Sequence, residues 1–199
     1  MIKTIMWDFA GVVLHTVHGT FNSLLAERLG APISAVERVF NSPMNDRWDI
    51  DEIDDNTFYH YLLDELHLPH EKISIIQRFV VKDFYVDDDI LAYIKSLREK
   101  YTSLLLTNFP AHIHDFMKTD WVVDGAFDHI IASCDVKHIK PNREIYRIAM
   151  QSANSSAEEC VFIDDREINV RAAESLGIHG IHFKKKTQMI QELEHILSA

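Results

Sequence analysis

The chain has 199 residues, 47% of them hydrophobic and 26% charged, enough for one α/β domain, or a core with a modest insertion, around a real hydrophobic core. A formal net charge of −11 argues against nucleic acid and anionic membrane surfaces as partners. Its apolar runs are far too short to span a bilayer, no signal-peptide pattern opens the chain, and Cys134 and Cys160 show no metal spacing, so reduced thiols in a cytoplasm are the expectation.

Ile5–Val13 begins as a short apolar run that suits a buried strand. One carboxylate, Asp8, breaks it, and Gly11 then lets the backbone turn sharply. Asp8 either caps that turn or serves a site, because ligands sit at the carboxyl ends of parallel strands. The pattern then turns helical for about seventy residues. Thr20–Leu29 is closed by Gly30, and Ser34–Phe40 starts on Ser34 with Glu37 as its capping-box partner. Asn56-Thr57 can cap Phe58–Leu66, and His70–Val81 carries Ile73, Ile75, Ile76 and Phe79. Asp87-Asp88-Asp89 precedes Ile90, Leu91, Ile94 and Leu97 at helical spacing, so these acids read as a helix start rather than a metal site.

Strands and helices alternate from there. Thr102–Leu106 ends in Thr107-Asn108, Ala111–Met117 begins a helix, and His129–Ala132 is a third strand. Pro141 opens a helix over Asn142–Ser152, and the strand Cys160–Ile163 ends in Asp164-Asp165. The helix Ile168–Leu176 stops at Gly177, before the strand Ile178–Phe183 and a closing helix Thr187–Leu197. Such alternation predicts a parallel sheet covered on both faces.

If the strand ends converge, Asp8, Thr107, Asn108, Lys140, Asp164 and Asp165 share one rim. Clustered carboxylates repel and need a cation, and oxygen-only ligands select Mg²⁺. The Thr107 hydroxyl, loop amides and Lys140 then make an anion pocket beside it. Metal, anion pocket and a spare carboxylate together are phosphoryl-transfer chemistry, with the carboxylate as covalent nucleophile.

Asp8-Phe9-Ala10-Gly11-Val12, Leu104-Leu105-Leu106-Thr107-Asn108, Lys140-Pro141 leading into Ile145-Tyr146, and Phe162-Ile163-Asp164-Asp165 resemble, in this order, the four motifs of the haloacid dehalogenase-like hydrolase superfamily. The nearest subgroups are sugar-phosphate phosphatases and the N-terminal phosphatase domains of epoxide hydrolases. The resemblance implies a Rossmann-like core over residues 1–14 and 87–199 and a small all-helical cap over 15–86, with Trp48–Ile53 as the cap's helix-linking stretch. It further implies a Mg²⁺-dependent hydrolase of a small phosphorylated metabolite. Asp8 would attack phosphorus and become the aspartyl-phosphate. Thr107 would bind phosphoryl oxygens, Lys140 would offset charge on nucleophile and phosphate, and Asn108 would assist in the phosphate pocket. The metal would lie against Asp8, the Ala10 carbonyl and Asp165, with Asp164 beside it. Asn108 and Asn169 are further candidates for the leaving group or a metal-bound water.

One position departs from the family pattern. Its phosphatases usually carry a second Asp two residues after the nucleophile, to protonate the leaving group and activate water; here that residue is Ala10. Acid–base catalysis of this kind is worth about 10²–10⁴-fold, felt most with poor leaving groups. His15 or His18, metal-bound water or an undemanding leaving group would have to supply what is lost. A phosphonoacetaldehyde hydrolase also has Ala there but needs a cap lysine, and none occurs between Lys3 and Lys72. A 2-haloacid dehalogenase works without metal and has no use for Asp164-Asp165. A protein that binds phosphate without turnover is the alternative from another class. Lys184-Lys185-Lys186 reads as a solvated turn, the pairs His112/His114 and His179/His182 lack helical ligand spacing, and Trp121 reads as core. Phe40, Met44, Trp48 and Tyr59 are candidates to line the substrate side of the cap.

Overall fold

The computed structural model describes residues 1–123 and 125–198, with backbone only at 80 and 81. In chain order the elements are β1 (Thr4–Trp7), β2 (Leu14–Thr16), α1 (Phe21–Leu29), α2 (Ile33–Phe40), α3 (Pro43–Asp49), α4 (Asp55–Glu65), α5 (Ile73–Lys82) and β3 (Phe84–Val86). They continue with α6 (Asp88–Leu97), β4 (Thr102–Thr107), α7 (Ile113–Thr119), β5 (His129–Ala132), α8 (Ser133–Val136) and α9 (Arg143–Ser152). The chain closes with β6 (Cys160–Asp164), α10 (Glu167–Glu174), β7 (His179–His182) and α11 (Lys186–Ser198).

Five strands form one parallel sheet in the order β5-β4-β1-β6-β7, the Rossmann arrangement expected from the alternation. β1 lies at its centre, with Trp7 opposite Leu105 on one side and Ile163 on the other. All four β1 residues are buried, because a central strand covered on both faces meets no water. Side chains alternate across it. Ile5 and Trp7 face one core with Ile90, Ile94, Met189 and Leu193 of α6 and α11, and Met6 faces the other with Ile145, Tyr146 and Phe162. Burying each large side chain contributes roughly 1.5–3 kcal/mol, so the sheet centre is the least yielding part of the molecule. The chain order reverses between β1 and β6. That is the point where such a sheet opens a crevice at its carboxyl edge.

The helical segment between β2 and β3 differs in detail from its sequence pattern. Its two ends pair as an antiparallel ribbon, Leu14 opposite Val86 and Thr16 opposite Phe84, so residues 15, 16 and 84–86 are strand and the segment is not helical throughout. α1 starts on a Thr20–Ser23 capping box and ends on the left-handed Gly30. α2 starts one residue before Ser34, behind Pro32, with no side-chain cap; proline's fixed φ sets the entry instead. α4 is capped by Asp54 rather than Asn56-Thr57, its carboxylate accepting from the Thr57 amide at 2.8 Å. α3 is a helix that the pattern did not show, and Trp48 lies in its last turn rather than in a linker. Trp48 stacks on Phe58 at 4.0 Å and 6°. Phe40 meets Phe21 at 4.8 Å and Phe58 at 5.5 Å edge to face, contacts worth about 0.5–1.5 kcal/mol each beyond burial. Asp87 caps α6 as expected, accepting from the amides of Asp89 and Ile90 at 3.0 Å each. Among the described residues, no helix is long and apolar enough to cross a membrane.

Candidate active site

Asp8 follows directly on β1, 6% exposed, its amide bonded to the Ile163 carbonyl of β6 at 2.9 Å. The chain then folds back on itself: the Phe9 carbonyl accepts from the amides of Val12, Val13 and Leu14. Gly11 permits that turn with φ at +91°, and a Cβ there would stand 2.5 Å from Oδ2 of Asp165. The same glycine thus shapes the loop of one carboxylate and leaves room for another.

Lys140, 3% exposed, reaches under these loops. Its Nζ donates to Asp8 Oδ1 at 2.7 Å, Asp164 Oδ2 at 2.8 Å and the Leu106 carbonyl at 2.9 Å. Those acceptors match the three donors of an ammonium. Asn108 holds the lysine in place: its amide donates to the Lys140 carbonyl at 2.9 Å and its oxygen accepts from the Lys140 amide at 2.7 Å. That positioning duty is one that residue type and spacing did not show. Asn169 does the same for Asp164, donating to both carboxylate oxygens at 3.1 and 3.0 Å, while Asp164 Oδ1 also accepts from the Arg166 amide at 2.8 Å. Asp164 is therefore occupied on both oxygens, whereas Asp165 faces the open crevice.

Three carboxylates and one ammonium leave the cluster with excess negative charge. Burial, and then Asp164, push the Asp8 carboxyl well above its ordinary range, against the pull of Lys140. Loss of water and the charge of Asp164 raise Asp165 in the same direction. Burial works to deprotonate Lys140, but Asp164 and Asp8 outweigh it and hold the ammonium charged. Oxygens of Asp8, Asp164 and Asp165 lie within 4.8 Å of one another, and such an all-oxygen donor set suits a hard divalent cation such as Mg²⁺. The Thr107 hydroxyl, 1% exposed at the end of β4, has no hydrogen-bond partner among the described residues. A buried polar group left so costs about 1–3 kcal/mol. An anion accepting from it removes that cost, so the residues fit both groups.

The crevice continues into the helical segment as a cavity of about 550 Å³. Asp8, Ala10, Lys140 and Asp165 stand at its polar end, and its walls include Phe21, Phe40, Trp48, Tyr59, Phe84 and Trp121. Of the expected cap residues, Phe40, Trp48 and Tyr59 line it and Met44 does not. Trp121 is both core, at 1% exposed, and cavity wall. His15 lines the cavity, with Nε2 3.0 Å from the Val12 carbonyl. His18 does not: it pairs with Glu27 on the surface at 3.2 Å. Neither Lys72 nor Lys82 lines it, so the cap lysine that a phosphonoacetaldehyde hydrolase needs is not supplied. Lys186 departs from the solvated-turn reading, bonding Asp87 at 3.0 Å and Asp89 at 2.7 Å across to α6. Asp49, Arg166 and the His112–Asp55 pair, 3.0 Å apart, carry no signal in the sequence pattern. The segment holding Asp49 read as a linker, and Arg166 stood beside Asp164-Asp165 without a role.

The family description "haloacid dehalogenase-like hydrolase" matches residues 2–177. Sesquiterpene phosphatase astK of Aspergillus oryzae is 24% identical over 197 residues, 98% of this chain and 96% of that protein. Bifunctional epoxide hydrolase 2 of Rattus norvegicus is 33% identical over 70 residues, 35% of this chain and only 13% of its own length. Among solved structures, a HAD-like family hydrolase from Porphyromonas gingivalis superposes with a TM-score of 0.78 at 23% identity, covering 100% and 99% of the two chains. A HAD family enzyme from Bacteroides thetaiotaomicron, solved as an Asp-to-Ala mutant with magnesium and inorganic phosphate, gives 0.75 at 20% identity over 92% and 95%. With its motif residues gathered at one sheet edge and its family match running over most of its length, the chain belongs to the haloacid dehalogenase-like hydrolases.

Proposed function

We propose that this hydrolase is a Mg²⁺-dependent phosphatase that forms an aspartyl-phosphate on Asp8 and takes phosphate esters of largely apolar alcohols. The observation that carries the reading is Asp8, salt-bridged to buried Lys140, at the polar end of an aromatic cavity. Asp8 is the nucleophile, its free oxygen aimed at phosphorus while Lys140 holds the other. Thr107 donates its unpartnered hydroxyl to a phosphoryl oxygen. Asp165, Asp8 and the Ala10 carbonyl would hold the metal, and Asp164 acts through Lys140 and Asn169. Asn108 serves the phosphate pocket by fixing Lys140. Bound Mg²⁺ offsets the charge that the carboxylates and phosphate bring together. Residues 15–86 serve as a cap on a core of 1–14 and 87–199.

At roughly 30 Å³ per water-sized group, a cavity of about 550 Å³ has room for a phosphate and a chain of ten or so carbons. The sesquiterpene phosphatase, similar over nearly the whole chain, supports an apolar alcohol, and the Bacteroides enzyme's magnesium and phosphate support the metal and the anion.

Phosphate release from butyl, octyl, decyl, geranyl and glucose 6-phosphates, with and without Mg²⁺, tests the reading. Turnover should need Mg²⁺, disappear in Asp8→Asn, and favour the apolar esters. At about 0.8 kcal/mol per buried CH₂, kcat/KM should rise several-fold per carbon until the cavity fills. Glucose 6-phosphate outrunning decyl phosphate refutes the substrate class. Tight binding of a phosphate mimic with no turnover of any ester refutes the enzyme.

A further inference from the structure

Ala10 leaves the first loop without a proton donor for the leaving group. The following inference rests on the phosphatase reading. Beyond Asp8, Lys140 and Asp165, the titratable side chains along the cavity include His15, Asp49, Tyr59, His112 and Arg166. His15 spends Nε2 on the Val12 carbonyl and lies between Tyr85 and Phe183. His112 spends Nδ1 on Asp55 and is walled by Trp48, Phe109 and Phe116.

Asp49 is placed differently. It is the last residue of α3, and the Ser133 hydroxyl of the core donates to its carbonyl at 2.6 Å, so the end of this cap helix is pinned to the sheet side. Its Oδ2 accepts from the Asn45 amide at 3.0 Å, and Oδ1 has no protein partner among the described residues. Its side chain lines the same cavity as Asp8, Ala10 and Asp165.

The geometry points to Asp49 as the general acid and base of the reaction, doing from the cap what position 10 does not do from the core. In the first step Asp8 attacks phosphorus, the P–O bond to the alcohol breaks, and the leaving oxygen takes the proton of the Asp49 carboxyl. In the second step the Asp49 carboxylate takes a proton from water, whose oxygen displaces Asp8 from phosphorus. Phosphate leaves, and Asp8 and Asp49 return to their starting forms. The charges around Asp49 suit this cycle. Burial lifts its pKa to about 7, with Asp46 adding to the lift and the Asn45 amide, Arg166 and Lys140 opposing it. A carboxyl poised near neutrality gives and takes a proton with similar ease.

Asp49→Asn tests this, assayed with decyl and p-nitrophenyl phosphates beside Asp8→Asn. The expected result is a loss of about 10²–10⁴-fold in kcat/KM for decyl phosphate and a far smaller loss for the aryl ester, whose leaving group needs no acid. Decyl phosphate kcat/KM of the unmodified protein should decline above a pH of about 7. Asn45→Ala, which keeps the carboxyl and removes its donor, should move that decline to higher pH. Carbon-13 spectra should show one aspartate carboxyl titrating near 7 that Asp49→Asn removes. Equal losses on both esters, or no such carboxyl, overturn the assignment while the phosphatase reading stands. Turnover surviving in Asp8→Asn overturns the reading itself.

Discussion

Thr107 ends β4, and Lys140 bonds the carbonyl of Leu106 just before it; the two answer opposite needs. Lys140 has every donor satisfied by Asp8, Asp164 and the Leu106 carbonyl, so it is as much a structural cation as a chemical one. Removing it would leave two buried carboxylates facing each other, a change of the kind that costs about 3–5 kcal/mol. A Lys140 variant therefore tests folding more than chemistry. Thr107 is the reverse case, a buried hydroxyl with nothing to donate to among the described residues. Thr107→Val keeps its shape and removes the orphan group, so without ligand the variant should melt no lower than the parent, and higher by up to a few degrees. Its affinity for a phosphate mimic should fall about tenfold, the worth of one hydrogen bond to a charged acceptor. Calorimetric melts and a binding titration check the pair of outcomes. A lower melting temperature with unchanged binding would show that the hydroxyl serves the fold alone.

At the scale of elements, the loop after β1 does more than any helix. Gly11 has φ at +91°, and the space its Cβ would fill belongs to Asp165. Gly11→Ala should therefore cost about 1–3 kcal/mol in backbone strain and, separately, push the Asp165 carboxylate from its place. The second effect reads out as Mg²⁺ affinity, which should fall at least tenfold by titration calorimetry, with Asp165→Asn showing a similar loss without the strain. The motif spelling Asp8-Phe9-Ala10-Gly11 carried this turn in the sequence, since a glycine after a strand's last acid is turn chemistry. α3 was illegible for an equally physical reason. It has seven residues, and only Trp48 is buried, so it presents no apolar stripe with a helical period. Its proline at the first position and the Trp48–Phe58 stack hold it helical, and the stack is a tertiary contact. Asp49, its last residue, is illegible for the same reason. The ribbon of β2 and β3 was hidden likewise, because strands of three residues separated by sixty-odd others leave no alternation to count.

The whole molecule carries more negative charge than its site can settle alone. Asp8, Asp49 and Asp165 all have folded-state pKa values raised above their ordinary 3.8, Asp49 to about 7. Between those limits the folded state binds more protons than the unfolded one, so stability contributed by these groups is present at low pH and lost as pH rises. The metal-free protein should accordingly melt at falling temperature from about pH 4.5 to pH 7. The net charge of −11 adds self-repulsion in the same direction. Asp49→Asn should flatten the upper part of that slope. Mg²⁺ should raise the melting temperature most near neutral pH, by about 2.7 kcal/mol of stability at a hundred times its Kd. Melts in chelator across pH 4–8, repeated with Mg²⁺, measure all three, and a metal-free stability that rises toward pH 7 would contradict the charge account.

Four short motifs in chain order determined the family, because each is local: three are apolar runs that close on a polar residue within five or six positions, and the fourth is Lys140-Pro141 at the start of a helix. Strand alternation likewise determined a parallel sheet with helices on both faces. What the tertiary structure decided is which of those polar residues are free and what stands opposite them. Only packing shows Asp164 saturated by Lys140, Asn169 and the Arg166 amide while Asp165 faces the crevice. Only packing gathers Phe21, Trp48, Phe84 and Trp121 around one cavity. Phe84 and Phe21 are 6.0 Å apart in space and sixty-three positions apart in the chain. Distance through the fold has no local signature, so the motif residues at the strand ends are legible in the sequence, while their surroundings, and Asp49 with them, are not.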